Sequence, residues 1–208
     1  EGSRFGEKVQ VSQSGDYLLV SATEVRGSDQ SYGKVVVYKN NNGLFDTSTY
    51  QIIHNPLPKA GMKFGHAISI NSDASTLAVS SLGTHKFIPN TFDKYSLVSE
   101  TIAYVNDPAS ALTGSLTTFD SRSTTFFDTI PASGTAYVYN RKFERFVLSE
   151  ELLPSLIMPG TNYGYSISAD DDAVYVGAPA YTNTATESVF YQFNKIDTQT
   201  DSWKILRE

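Results

Sequence analysis

The 208-residue chain contains no cysteine. That excludes a disulfide framework, a thiolate nucleophile and thiolate-ligated metals, and it leaves an exterior setting open. Basic charge is also short, with 16 Lys and Arg against 22 Asp and Glu, for a net charge of −6. A protein that follows a phosphate backbone is normally basic, so no nucleic-acid partner is expected. No apolar run approaches the roughly 20 residues of a membrane-spanning helix, and no membrane insertion is expected. The chain opens at Glu1 without a methionine or a signal-like segment. Only 18% of residues are charged, whereas 40% are hydrophobic and 12% aromatic, which is enough to bury a core in one all-β domain or two small ones.

Against these absences stands a threefold internal repeat, which fixes architecture before any other feature. With Phe5, Phe64 and Tyr163 in register, each copy opens on an aromatic followed by glycine: Phe5-Gly6, Phe64-Gly65 and Tyr163-Gly164. Alternate residues are then apolar: Val9 and Val11, Ile68 and Ile70, Tyr165 and Ile167. The residues between them are small or polar, which predicts a strand with two unlike faces. A polar break follows at Gln13–Asp16, Asn71–Ser75 and Asp170–Asp172. A second apolar run comes next, at Tyr17–Val20, Leu77–Val79 and Val174–Val176, so each copy starts as a hairpin. Third strands are expected at Gly33–Tyr38, Gly134–Tyr139 and Ser188–Phe193, the last without the leading glycine. Weaker fourth strands are expected at Tyr50–Ile53, Phe146–Leu148 and Trp203–Leu206.

The opening aromatics lie 59 and then 99 residues apart. The excess sits between strands two and three of the second copy, as an insertion from about Gly83 to Ala132. Without it the units are of nearly equal length, which suits four-stranded β-propeller blades. The boundaries read as blade 1 at about 5–56, blade 2 at about 64–153 and blade 3 at about 163–208. Three blades do not close a ring, so the expectation is a partial propeller completed by a longer polypeptide or by association of copies. The insertion is rich in aromatics and offers short strands at Thr101–Val105, Leu116–Phe119 and Thr124–Phe127. A β-sandwich also shows alternating strands at regular spacing and is the competing architecture.

The pattern resembles the FG-GAP repeat family known from integrin α-subunit propellers. Phe5-Gly6 and Phe64-Gly65 match its first signature and Gly177-Ala178-Pro179 its second, whereas Ser21-Ala22-Thr23 and Ser80-Ser81-Leu82 are degenerate copies. Trp203-Lys204-Ile205-Leu206 is similar to the Trp-led closing strand of the subfamily without calcium loops. The resemblance implies that loops between strands two and three share a ligand-binding face. Arg26, Asp29, Tyr32, Tyr95 and Tyr181 would then be the candidate ligand-binding residues.

Chemistry is sparsely signalled. The first hairpin turns lack the alternating acidic spacing that calcium requires, and Asp170–Asp172 reads as a solvated turn. His54, His66 and His85 fall in separate elements, with no zinc-ligand spacing. His66 lies on the apolar face of its strand and is expected to be a hydrogen-bonded core residue. Gly164-Tyr165-Ser166-Ile167-Ser168 only superficially suggests a nucleophile elbow. Asp93, Glu100 and Asp107 are carboxylates that nothing selects for paired acid–base work. The leading expectation is therefore a non-enzymatic binding or assembly module of a larger exterior protein, with no cofactor and no metal. Its role would be adhesion or host attachment, or a structural role in a virion such as a phage tail or fibre. Its location would be extracellular, on a cell surface or a virion. Its partners would be other protein subunits, the remainder of a longer chain, or a cell-surface glycan or protein. The alternatives are a carbohydrate-binding propeller lectin and, behind it, an enzyme on a propeller scaffold.

Overall fold

The computed structural model describes residues 3–24, 32–56, 62–83, 86–89, 127–130, 133–154, 160–179, 188–197 and 202–207. The chain divides into two compact units. One is formed by residues 1–85 and 131–208, and the other by Lys86–Ile130. In the smaller unit, strand β7 (Lys86–Pro89) pairs antiparallel with β8 (Phe127–Ile130), which makes a two-stranded stem. The strands expected at Thr101–Val105 and Leu116–Phe119 lie outside the described residues. Of Thr124–Phe127 only Phe127 is described, and it opens β8.

The larger unit is all-β and consists of three four-stranded antiparallel meanders, arranged as propeller-like blades that do not close a ring. The first blade runs β1 (Phe5–Val11), β2 (Tyr17–Ala22), β3 (Lys34–Asn41) and β4 (Leu44–His54) in sheet order. The second runs β5 (Lys63–Ile70), β6 (Thr76–Leu82), β9 (Thr135–Lys142) and β10 (Arg145–Leu152), with the β7–β8 stem between β6 and β9 in the chain. The third runs β11 (Ser166–Ala169), β12 (Ala173–Ala178), β13 (Val189–Asp197) and β14 (Ser202–Arg207).

The turns explain where strands stop. In the first blade, Asn42 (φ 54°) and Gly43 (φ 88°) form the two-residue connection between Asn41 and its partner Leu44. Two successive positive φ angles match the right-handed twist of the flanking strands, which is why Asn-Gly is favoured there. This turn starts β4 six residues earlier than Tyr50. The strand is then interrupted where the register jumps from Phe45 to Tyr50, and Asp46 there accepts hydrogen bonds from the Ser48 amide and hydroxyl. The second blade makes the same turn with Phe143 (φ 49°) and Glu144 (φ 67°), neither of which relieves the left-handed strain as glycine would. On the opposite hairpins, buried Ser12 and Asn71 occupy equivalent turn positions. Ser12 Oγ accepts from the Tyr17 amide at 3.1 Å and Asn71 Oδ1 from the Thr76 amide at 2.8 Å.

Blade 2 shows how the faces are used. Leu77, Val79, Tyr137 and Tyr139 point towards blade 1 and pack with its Tyr17, Leu19, Val35, Val37 and Ile53. Ala78, Ala136 and Val138, one residue out of phase, pack against Val174, Val176, Tyr191 and Phe193 of blade 3. Period-two alternation thus gives one sheet two buried faces. The opening aromatics act as wedges between blades. Phe64 is fully buried in the first interface and Tyr163 almost so in the second. Burying a phenylalanine side chain stabilises by about 2–3 kcal/mol.

Phe5 does not follow this rule. It is 53% exposed, and Val9 and Val11 beside it are also exposed, although the sequence pattern made all three an apolar face. The reason is tertiary: among the described residues no neighbouring blade meets these first-strand positions, although Val20, which pairs with Val9, and Val36, which pairs with Val20, are buried in the middle of the same face. In blade 3, Tyr165 is likewise exposed, and the first strand begins at Ser166 rather than at Tyr163. Tyr163 instead makes an isolated parallel bridge to Gly134.

Candidate functional site

The best-defined groove among the described residues opens between blades 1 and 2 at the turn end of the sheets. It holds about 280 Å³ of space, and its lining includes Tyr17, Lys39, Tyr50, Gln51, Glu144 and Arg145. The strained Phe143-Glu144 turn carries Glu144 across to blade 1, where its carboxylate accepts from the Tyr17 hydroxyl at 3.0 Å and from Lys39 Nζ at 2.5 Å. These bonds hold the Glu144 carboxyl below its ordinary range, chiefly through the hydrogen bond from Lys39, and the same bond raises Lys39. Arg141 donates to the Tyr17 hydroxyl at 3.3 Å, and its guanidinium lies 5.3 Å from the ring centroid of the same tyrosine. Phe143, next to Glu144, is fully exposed. Glu144 is the one carboxylate lining this groove, against the cations Lys39 and Arg145, and Tyr50 beside them is 53% exposed. The arrangement can hold a ligand by stacking and hydrogen bonds.

Two further ties bridge the blades at the outer strands. The Gln51 side chain reaches across to Phe146, donating to its carbonyl at 2.7 Å and accepting from its amide at 2.8 Å. One blade further on, Glu150 accepts from the Trp203 amide at 2.8 Å. Gln51 and Glu150 pair with Val37 and Val138, which are equivalent positions in their sheets, so this contact is itself a repeat.

Of the residues that the sequence singled out, Tyr32 is half-buried, and its carbonyl accepts from the Phe64 amide at 3.1 Å, so its visible role is to join blades. Arg26, Asp29, Tyr95 and Tyr181 lie outside the described residues, as do His85, Asp93, Glu100 and Asp107. His66 departs from expectation. It is half-buried against the Tyr165 ring at 5.3 Å, and its buried Nδ1 has no hydrogen-bond partner. Burial, helped by the nearby Lys8 charge, lowers its pKa. His66 sits on β5, the edge strand of its sheet, where residues 66–68 are half-buried rather than core. His54 is exposed. The Asp170–Asp172 turn is exposed, yet it is also a tie. Asp171 accepts from the Ser72 hydroxyl at 2.6 Å and from Asn71 Nδ2 at 3.3 Å on the neighbouring blade. Among the described residues no group of three His, Asp or Glu side chains is placed to hold a metal ion. No helix among them is long and apolar enough to cross a membrane.

No family model matches the chain, and no curated protein matches it. What can be argued about the site therefore rests on its own geometry. Sequence reasoning missed the Tyr17–Lys39–Glu144 cluster. The signal was present but indirect: register puts Phe143-Glu144 where blade 1 has Asn42-Gly43, and a turn position held by residues unsuited to it points to a reason elsewhere.

Proposed function

We propose that this chain is a non-enzymatic assembly and binding module, a set of FG-GAP-like propeller blades that serves adhesion, host attachment or virion architecture in a larger exterior protein. The observation that carries this reading is the repetition of the packing unit. Each of the two blade interfaces uses the same aromatic-glycine wedge, the same glycine receptor and an acceptor side chain on the outer strand, so the join between blades is itself repeated. The partner is another protein subunit or a further part of the same polypeptide. The test is to recover the protein from its source under non-denaturing conditions and measure the mass of the particle that contains it. A particle well above the 22.8 kDa of this sequence supports an assembly role, and a free particle of that mass removes it.

The groove between blades 1 and 2 favours a second reading, a carbohydrate-binding propeller, because Tyr50 offers an open aromatic face beside Lys39 and Glu144. Sugars are held by such faces with flanking hydrogen-bond partners. Binding on a broad glycan array that disappears in Tyr50→Ala would establish it, and an array without signal removes it.

A further inference from the structure

The repeat makes an interface whose parts can be inspected twice within this chain and then sought a third time. At each join the wedge residue of one blade bridges to a glycine just ahead of the third strand of the blade before it: Phe64 to Gly33 and Tyr163 to Gly134. The Phe64 amide donates to the Tyr32 carbonyl and the Tyr163 amide to the Ser133 carbonyl, both at 3.1 Å. Neither glycine is replaceable. A Cβ at Gly33 would stand 2.1 Å from the Phe64 carbonyl oxygen, and one at Gly134 would stand 1.9 Å from that of Tyr163. Both glycines also have φ near +70°, which only glycine adopts without strain. The second part is the acceptor side chain on the fourth strand, Gln51 or Glu150, which takes the amide of Phe146 or Trp203.

Blade 1 presents the entering wedge of this interface with no receptor glycine bridged to it among the described residues. Phe5 is the positional equivalent of Phe64, and it stands open with Val9 and Val11. Gly6 has a φ of +90°, beside +86° at Gly65 and +87° at Gly164. A Cβ at Gly65 would meet Ser21 and Val35 of the preceding blade, whereas one at Gly6 would meet nothing within 4 Å. Phe45 holds the position of Phe146 and Trp203. The wedge and its glycine are formed, and only the receptor is missing.

Blade 3 presents the face that would be a receptor, with Tyr175 and Phe190 exposed on it. Both parts of the receptor have been changed. Val189 pairs with Ala178 as Lys34 pairs with Ala22 and Thr135 with Ser81, so the residue in the place of Gly33 and Gly134 is Ser188. Its Cβ occupies the space that the wedge carbonyl needs. Arg207 pairs with Gln192, after the same one-residue slip found in blade 2, and so takes the place of Gln51 and Glu150. Arginine has no acceptor for the incoming amide.

We propose that the outer face of blade 1, carrying Phe5, Val9 and Val11, is half of a third blade-to-blade interface. Its occupant is a four-stranded blade with glycine ahead of its third strand and glutamine or glutamate on its fourth. A second copy of this chain does not qualify, because Ser188 and Arg207 stand where the open receptor among its described residues would need glycine and an acceptor. The difference between the two end faces thus selects the partner and prevents copies from adding head to tail, where a heterologous contact that fails to close would grow into filaments. This inference rests on the assembly reading proposed above.

The experiment is sedimentation velocity on the purified chain and four variants, the single Phe5→Asp among them, over a range of concentrations. Wild type is expected to sediment as a monomer. The double variant Ser188→Gly/Arg207→Gln restores both receptor parts and is expected to shift to dimers or larger species. Adding Phe5→Asp, at an exposed position, is expected to return it to monomer. Ser188→Gly alone carries the same test, with a smaller shift, should the double variant unfold. Wild-type association abolished by Phe5→Asp would overturn the proposal, because a copy would then be an acceptable occupant. Restored receptors that leave a folded chain monomeric would also overturn it, as would association indifferent to Phe5→Asp. None of these outcomes bears on the assembly reading itself, which stands or falls on the mass of the native particle.

Discussion

Phe5-Gly6 and Phe64-Gly65 are the same dipeptide at the same place in two blades. Phe64 is fully buried and Phe5 is half in water. Their glycines share a left-handed φ, +86° at Gly65 and +90° at Gly6. Local conformation is therefore the same and is set by local sequence, whereas burial is set by whether a blade stands alongside. A repeat specifies a conformation everywhere it occurs, but the energy of burial arrives only where two copies meet.

The comparison can be broken hardest at the receptor. Gly134→Ala puts a Cβ into the Tyr163 carbonyl and is expected to destabilise by more than about 4 kcal/mol, because the obstacle is backbone and has nowhere to move. Gly6→Ala meets no neighbour and is expected to cost only the left-handed strain, about 1–2 kcal/mol. Urea denaturation of both would decide it, and equal losses would mean that conformation, not the close approach, makes the glycine necessary.

The wedge itself comes next. Phe64→Ala should cost about 3–5 kcal/mol, since it leaves a cavity in the first interface. Phe5→Ala should fall within about 0.5 kcal/mol, as for an exposed site without special contacts. A Phe5→Ala loss near that of Phe64→Ala would show that something covers this face in solution.

The residue after the glycine sharpens the contrast further, being Glu7 in blade 1, His66 in blade 2 and Tyr165 in blade 3. The pKa of His66 is lowered in the fold, so the folded state binds fewer protons than the unfolded one as pH falls through 6.5. Stability is then fully present above 6.5 and is lost as pH drops towards the lower folded value. An NMR titration of His66 should give a midpoint below 6.5, and His66→Gln should flatten the pH dependence of the urea midpoint in that window. A midpoint at or above 6.5 would contradict the half-buried placement against Tyr165.

The smallest effect is expected at Glu144. Its carboxyl is held below 4.5, so its contribution is present above that value and lost as pH falls through the lower folded pKa. The pair with Lys39 is solvent-exposed and screened by salt. The urea midpoints of wild type and Glu144→Gln should converge on acidification and on adding salt. A gap that persists at pH 3 would assign the effect to the turn rather than to the charges.

Much of this fold was legible in the sequence. The alternation in Ile68 and Ile70 located a strand, and the polar break at Asn71–Ser75 located its turn, because both depend on neighbours close in the chain. The missing glycine before Val189 was legible as well, but its meaning was not. The Phe143-Glu144 turn and the groove at Tyr17 were not legible, because Tyr17 and Glu144, 127 positions apart, meet only in the fold.

The sequence by itself determined the three meanders, their first hairpin turns and the glycines after the opening aromatics, since backbone sterics and side-chain periodicity act over a few residues. Only the tertiary structure decided that Phe64 and Tyr163 are wedges while Phe5 is not, that Gly33 and Gly134 are receptors, and that Ser188 and Arg207 break the pattern. Those facts concern surfaces that meet in space, and the free energy of burial belongs to the meeting and to neither strand alone.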